Sequence, residues 1–174
     1  MSKKMLKRSL ALSALMAFVI TGQAWAADDS NNNVVIDASQ NVVDVYGGNS
    51  ADGAANYNTV TIDGATVTGL VRGGKAYIDA IGNEVNIGGG SEVAGSVKGG
   101  SAQDHEEDFV PGVAEHNKVK ILGESTVHGS VYGAENLGFG IENGSVSENE
   151  VQIIGSTVNG DVSGGVVHWA GYDI

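Results

Sequence analysis

Gly160-Asp161-Val162-Ser163-Gly164-Gly165 sets a serine among glycines with an aspartate nearby, the residue types of a hydrolase nucleophile turn. His105, His116, His128 and His168 would be the candidate bases. A catalytic triad needs its hydroxyl, imidazole and carboxylate in one fixed geometry, and no spacing here fixes it. Val162 also interrupts the glycine-aspartate-serine-glycine order, and a repeat described below accounts for every residue of the stretch. A second candidate runs from Ser101 to His116, where Asp104, His105, Glu106, Glu107 and Asp108 offer oxygen ligands of the kind calcium accepts. The spacing matches no established calcium loop, and an acidic run is ordinarily a solvated one. Gly88-Gly89-Gly90 and Gly138-Phe139-Gly140 complete neither a dinucleotide nor a phosphate-loop spacing and read as turns. No facing carboxylate pair suited to glycoside hydrolysis stands out. The chain therefore reads as non-enzymatic, with no catalytic, cofactor-binding or metal-ligating residue assigned and no cofactor expected.

The elements that would position any site begin after a leader. Lys3, Lys4, Lys7 and Arg8 precede the apolar run Leu10 to Ile20, and Ala24-Trp25-Ala26 closes the segment. This is the grammar of a secretory signal peptide over 1–26, and its apolar run is too short to span a bilayer. Cleavage is expected after Ala26. Four of the nine basic residues and none of the 21 acidic ones lie before that point, so the formal charge moves from −12 to −16. The remaining cations, Arg72, Lys75, Lys98, Lys118 and Lys120, are scattered along the sequence, which argues against nucleic acid and anionic membrane surfaces as partners. The chain has no cysteine, so stability in an oxidising compartment must come from backbone ladders and packing.

A cassette recurs five times, opening at Asn32, Asn58, Asn83, Asn117 and Asn149. Each copy reads Asn-x-Val-x-Ile, turns, and continues through a second alternating stretch to a pair of small residues. Those pairs are Gly47-Gly48, Gly73-Gly74, Gly99-Gly100, Gly133-Ala134 and Gly164-Gly165. Strand side chains alternate with period two, so four slots per cassette should face one way. The first holds Val34, Val60, Val85, Val119 and Val151; the second holds Ile36, Ile62, Ile87, Ile121 and Ile153. The third holds Val67, Val93, Val127 and Val158, with Asn41 in the first copy, and the fourth holds Val45, Val71, Val97, Val131 and Val162. A further glycine recurs at Gly69, Gly95, Gly129 and Gly160, with Val43 in that slot of the first copy, where the chain must bend or another backbone approaches. The asparagines read as turn residues tolerant of left-handed geometry and able to stack as amide ladders. Cassettes open 26, 25, 34 and 32 residues apart, and the variation falls after the glycine pair, as expected of loops on one face of a stack.

Identical residues in identical slots are what vertical stacking requires, so the expected fold is an all-β parallel β-solenoid of five coils over 32–165. Residues 27–31 form a lead-in and 166–174 a tail, whose Trp169 and Tyr172 suit the covering of the last coil. A sandwich or an antiparallel barrel would accept the alternation without explaining why each slot keeps its residue type.

The secretory leader, the absence of cysteine and tandem Asn-x-Val-x-Ile…Gly-x-x-x-Gly-Gly phrases resemble the passenger region of bacterial type V autotransporters, over Asn32 to Gly165. The resemblance implies a right-handed parallel β-helix displayed outside the cell, commonly as an adhesin, and an outer-membrane barrel C-terminal to it. Here nine residues follow Gly165, with no barrel, and Ile174 is not the aromatic residue on which such barrels usually end. The chain is thus expected to be either the leading part of a longer protein or a short secreted relative. The expected role is an exported cell-surface or secreted solenoid in adhesion or surface contact, with a host or surface protein or a glycan as partner. Tyr46, Tyr57, Tyr77, Tyr132 and Phe139, at or beyond the cassette ends, would form the contacting strip. The alternative is a self-associating structural solenoid joined head to tail through its end coils, with no separate ligand.

Overall fold

The computed structural model describes residues 24–25, 29–51, 53–103, 111–138 and 144–169, and its regular elements are all strands. Each cassette forms one coil of three strands. The first strands, Asn33–Asp37, Thr59–Asp63, Glu84–Gly88, Lys118–Leu122 and Glu150–Ile154, stack into one five-stranded sheet. The two-residue strands Asn41–Val42, Thr66–Val67, Glu92–Val93, Thr126–Val127 and Thr157–Val158 make a second. The third contains Val45–Asn49, Val71–Lys75, Val97–Gln103, Val131–Gly138 and Val162–Trp169. Every pairing in these sheets is parallel and in register, so Val60 pairs with Val85, Ile62 with Ile87, Val67 with Val93 and Val71 with Val97. The protein is a parallel β-solenoid; a sandwich or an antiparallel barrel would need antiparallel neighbours.

The four inward columns merge into a single core. In the three middle coils the Val and Ile of the first two slots are at most 1% exposed, as are their third- and fourth-slot valines. Branching at Cβ suits both demands on these residues, since it favours extended backbone and fills the space between stacked pleats. In the first coil the register corrects the sequence reading: Val42 pairs with Val67, and Asn41 pairs with Thr66. The third slot is therefore valine in every coil. The bend between the second and third strands holds only Val43 and Asp44 in the first coil, one residue fewer than in each of the others, so counting back from Val45 at the common spacing lands on Asn41.

The asparagines do not sit in left-handed backbone, as expected from their turn propensity. The residue before each of them does: Asn31, Tyr57, Gly82, His116 and Glu148 have φ between 53° and 65°. The asparagines themselves are turned inward, and Asn58, Asn83 and Asn117 are at most 1% exposed. Each donates its backbone N–H and its side-chain amide to the Oδ1 of the asparagine one coil on, at 2.8–3.0 Å, from Asn32 through to Asn149. The second side-chain N–H of Asn58, Asn117 and Asn149 reaches a backbone carbonyl, at Asp29, Ala80 and Ala114 respectively.

The ladder explains the small-residue pairs. A Cβ at Gly99 would stand 2.4 Å from the Gly133 carbonyl oxygen and 3.0 Å from the Asn117 Cβ, and one at Gly100 would stand 2.5 Å from the Asn117 amide nitrogen. The pair that ends one cassette leaves room for the asparagine that opens the next. The bend glycines obey a similar limit, since a Cβ at Gly95 would come within 2.3 Å of the Gly69 carbonyl oxygen in the neighbouring coil.

The segments after the glycine pairs are more ordered than a set of surface loops. Val113–Glu115 pairs parallel with Ser145–Ser147, and Asp79 bridges Val113. Ala55, Ala76, Ala80, Ala102, Ala114 and Ala134 form a second small core beside the main one, with Val146 packed on it. The longest loop, with Asp104 to Asp108, lies outside the described residues, as do Phe139 and Tyr172. The tail does not fold across the last coil as far as Trp169: Val166 to Trp169 prolong the third-sheet strand and pair with Glu135 to Gly138. At the other end, Ala24–Trp25 pair with Val45 and Tyr46, so the last residues of the expected leader form the outer strand of the third sheet.

Glycine tolerance should follow these contacts. Gly99→Ala is expected to lower the free energy of unfolding by about 1–3 kcal/mol through overpacking. Gly88→Ala, where an added Cβ meets nothing within 4 Å, should change it by less than about 0.5 kcal/mol, as surface substitutions do. Urea unfolding of the two variants beside the parent checks both values.

Candidate functional site

The structure assigns the repeat residues to the scaffold. Val60, Ile62, Val85, Ile87, Val119 and Ile121 fill the core, and Val151 and Ile153 pack on it half-buried. Asn58, Asn83, Asn117 and Asn149 form the ladder; Gly73 and Gly74 make room for it, and Gly69, Gly95, Gly129 and Gly160 occupy the bend. None of these side chains presents chemistry to solvent. Recognition falls to the outward columns, where strict register brings together residues some 25 to 37 positions apart in sequence.

On the first sheet, Lys118 pairs with Glu150 at 2.6 Å and Lys120 with Glu84 at 2.5 Å. The hydrogen bond from Lys120 holds the Glu84 carboxyl below its ordinary pKa, against the opposing effect of burial. On the second sheet, His128 lies 2.9 Å from Glu92 and 3.2 Å from the Asn159 side-chain nitrogen. The side segments bring Asp79 near Glu115. Burial, then repulsion from Glu115, raises the Asp79 pKa, while hydrogen bonds from Ser145 and Ser147 lower that of Glu115. This pair of unlike carboxylates was invisible in sequence, because Asp79 and Glu115 belong to different cassettes and meet through the parallel bridge between Asp79 and Val113.

The third sheet carries the densest outward chemistry. One column runs Tyr46, Arg72, Lys98, Tyr132, Ser163, and a second, beyond the glycine pairs, runs Asn49, Lys75, Ser101, Glu135, Val166. The cations that seemed scattered in sequence are thus gathered, Arg72, Lys75 and Lys98 in two adjacent coils. Lys98 is ion-paired with Glu135, their side chains 14% and 6% exposed, and His168 lies 3.3 Å from the same carboxylate. Burial lowers the Lys98 pKa; Glu135 opposes the shift and Arg72 adds to it. The Arg72 guanidinium sits 5.8 Å from the centroid of the Tyr46 ring. Tyr46 and Tyr132 are half-buried in this column, whereas Tyr57 and Tyr77 are exposed elsewhere.

Ser163 ends the column. Its Oγ donates to the Gly165 carbonyl at 2.8 Å, and His168 faces Glu135, so no serine–histidine hydrogen bond forms here. Among the described residues, no group of three or more His, Cys, Asp and Glu side chains is placed to hold a metal ion.

Compared with protein-family models, curated proteins and solved structures, the chain matches none.

The two kinds of ion pair should differ in worth. Removing one partner of a buried pair leaves the other charge unmatched, so Glu135→Gln is expected to cost about 3–5 kcal/mol. Glu150→Gln breaks an exposed pair and should cost less than about 1 kcal/mol. Comparing the two variants by chemical denaturation tests the ranking, and equal costs would contradict it.

Proposed function

We propose that this chain is an exported, non-enzymatic, passenger-type β-solenoid that works in surface contact or adhesion, at the cell surface or after secretion. One observation carries the reading: the inward slots are committed to stacking, so among the described residues the chemistry that differs from coil to coil lies in the outward columns and the side segments. A rigid scaffold displaying graded columns is suited to holding an extended partner along its flank. The leader at 1–26 and the tandem phrases that resemble type V passenger regions support the export route.

Expression of the whole chain in a Gram-negative host tests this reading. The product is expected outside the inner membrane with Ala27 as its first residue, and the purified product should adhere to glycan- or matrix-coated surfaces more than its urea-unfolded form does. Full-length protein retained in the cytoplasm, or no adherence above the unfolded form, would count against it.

A specific observation favours the alternative of self-association. The last coil is open: Val162 is 50% exposed, Val151, Ile153 and Val158 are half-buried, and the backbone N–H of Asn149 has no acceptor among the described residues. Among the described residues a Cβ added at Gly164 would meet only the Asn149 carbonyl oxygen, at 3.1 Å, whereas one added at Gly133 would stand 2.3 Å from the Gly164 carbonyl oxygen and 2.9 Å from the Asn149 Cβ. An added coil with Asn32 of a second copy at its start would meet the same slots. Cleavage after Ala26 would also uncover the edge at Val45 and Tyr46 that Ala24–Trp25 occupies. On this reading the exported product elutes from a sizing column as species that grow with concentration; a monomer at every concentration would exclude it.

A further inference from the structure

The charge of this chain is distributed unevenly over its surface. After the expected leader, five basic residues face 21 acidic ones. Lys118 and Lys120 are paired with Glu150 and Glu84 on the first sheet. The other three, Arg72, Lys75 and Lys98, share the outer face of the third sheet, Arg72 directly beside Lys98 and Lys75 beside Ser101. Only Lys98 has a carboxylate partner; among the described residues no acidic side chain pairs with Arg72 or Lys75. The Nε of Arg72 is buried without a hydrogen-bond acceptor, and the guanidinium is held against the Tyr46 ring instead. The proximity of Arg72 also disfavours the charge on Lys98. An acidic protein thus keeps two uncompensated cations beside a third.

The surroundings restrict what can answer that charge. Tyr46 and Tyr132 bracket Arg72 and Lys98 in the same column, three coil steps apart, or about 14 Å at the usual strand spacing of ~4.8 Å. Between the Arg72 and Lys75 columns run the glycine pairs, buried and turned toward the asparagine ladder, so no side chain rises between the two columns at Gly73-Gly74 and Gly99-Gly100. The result is a shallow trough with Arg72 and Lys98 on one side, Lys75 and the Lys98-paired Glu135 on the other, and an aromatic ring at each end. A peptide that adds to a sheet needs an unpaired strand edge. The strands bearing Arg72 and Lys98 are paired on both sides, so they offer side chains and no free ladder. Nucleic acid would demand many more cations than this acidic chain presents. A chain of sugar rings that carries carboxylates needs neither, because its ring faces can stack on tyrosine and its carboxylates can accept from the guanidinium and ammonium groups.

We propose that the third-sheet trough formed by Tyr46, Arg72, Lys75, Lys98 and Tyr132 is a binding site for an acidic polysaccharide, the carboxylated rings lying along the solenoid axis. The inference rests on the surface-contact reading and gives it a ligand class.

The test uses the exported chain with polygalacturonate as probe, dextran as the neutral polymer and polyglutamate as the acidic peptide, measured by titration calorimetry. Polygalacturonate is expected to bind, more weakly as salt rises, and the Arg72→Gln/Lys75→Gln double variant to bind on the order of tenfold weaker or worse, with its urea midpoint unchanged. Tyr132→Ala should weaken binding without removing its salt dependence. Undiminished binding by the double variant, equal binding of dextran, or equal or tighter binding of polyglutamate would each overturn the assignment, the last in favour of an acidic protein partner. If polygalacturonate fails to bind while the chain still adheres to neutral glycan or protein surfaces, the trough is wrong and the surface-contact reading stands. If the chain adheres to nothing, both fall.

Discussion

The asparagine ladder is the constraint on which the rest of this solenoid depends. Asn58, Asn83 and Asn117 lie at the corner where one coil passes to the next, and at each of them two N–H groups must find an acceptor away from water. Leaving such groups unpaired costs about 1–3 kcal/mol each, so an asparagine in the neighbouring coil is close to obligatory. The side chain needs space, which the small-residue pair of the preceding cassette supplies. The approach of the chain to that corner requires a left-handed residue just before the asparagine, and Tyr57, His116 and Glu148 accept that conformation despite their Cβ atoms. One hydrogen-bonded column thereby sets the period, the register and the composition of the cassette.

Register, once fixed, has consequences on both faces. Inward it places valine on valine and isoleucine on isoleucine, so the core grows one layer per coil without new packing solutions. Outward it converts sequence separation into adjacency, and pairs such as Lys98 with Glu135 or Lys120 with Glu84 become neighbours. A one-residue slip would send every inward valine to solvent, so the outward columns inherit their precision from the core. The side segments vary in length because they leave and rejoin the coil at the same two points, and their alanines keep the second core thin.

The same device creates an unequal molecule. Interior coils have both ladders satisfied, while the fifth coil keeps half-buried core valines and an asparagine N–H that has no acceptor among the described residues. On the third sheet the columns gather Arg72, Lys75 and Lys98 on one face of a chain whose charge is otherwise strongly negative. A stack of nearly identical coils thus carries, among the described residues, a fifth coil less buried than the others and a cationic flank.

Much of the fold was legible in the sequence. Nineteen of twenty slots were read directly from Val and Ile at fixed spacing, and parallel stacking followed from their identity. The slot given to Asn41 was misread because the bend Val43–Asp44 is one residue shorter than in the other coils, which leaves no mark in a pattern of period two; only pairing of Val42 with Val67 reveals it. The asparagines were read as able to form ladders and as tolerant of left-handed geometry; the left-handed residue is the one before each, since turn propensity does not distinguish a residue from its predecessor. The trough on the third sheet was not legible at all. Arg72, Lys75 and Lys98 read as scattered along the chain, and what makes them one surface is the parallel pairing of coils 26 residues apart. Sequence alone determined the repeating unit, because stacking demands the same residue in each inward slot. Tertiary structure decided which outward residues meet, because those positions carry no repeated identity from which their neighbours could be inferred.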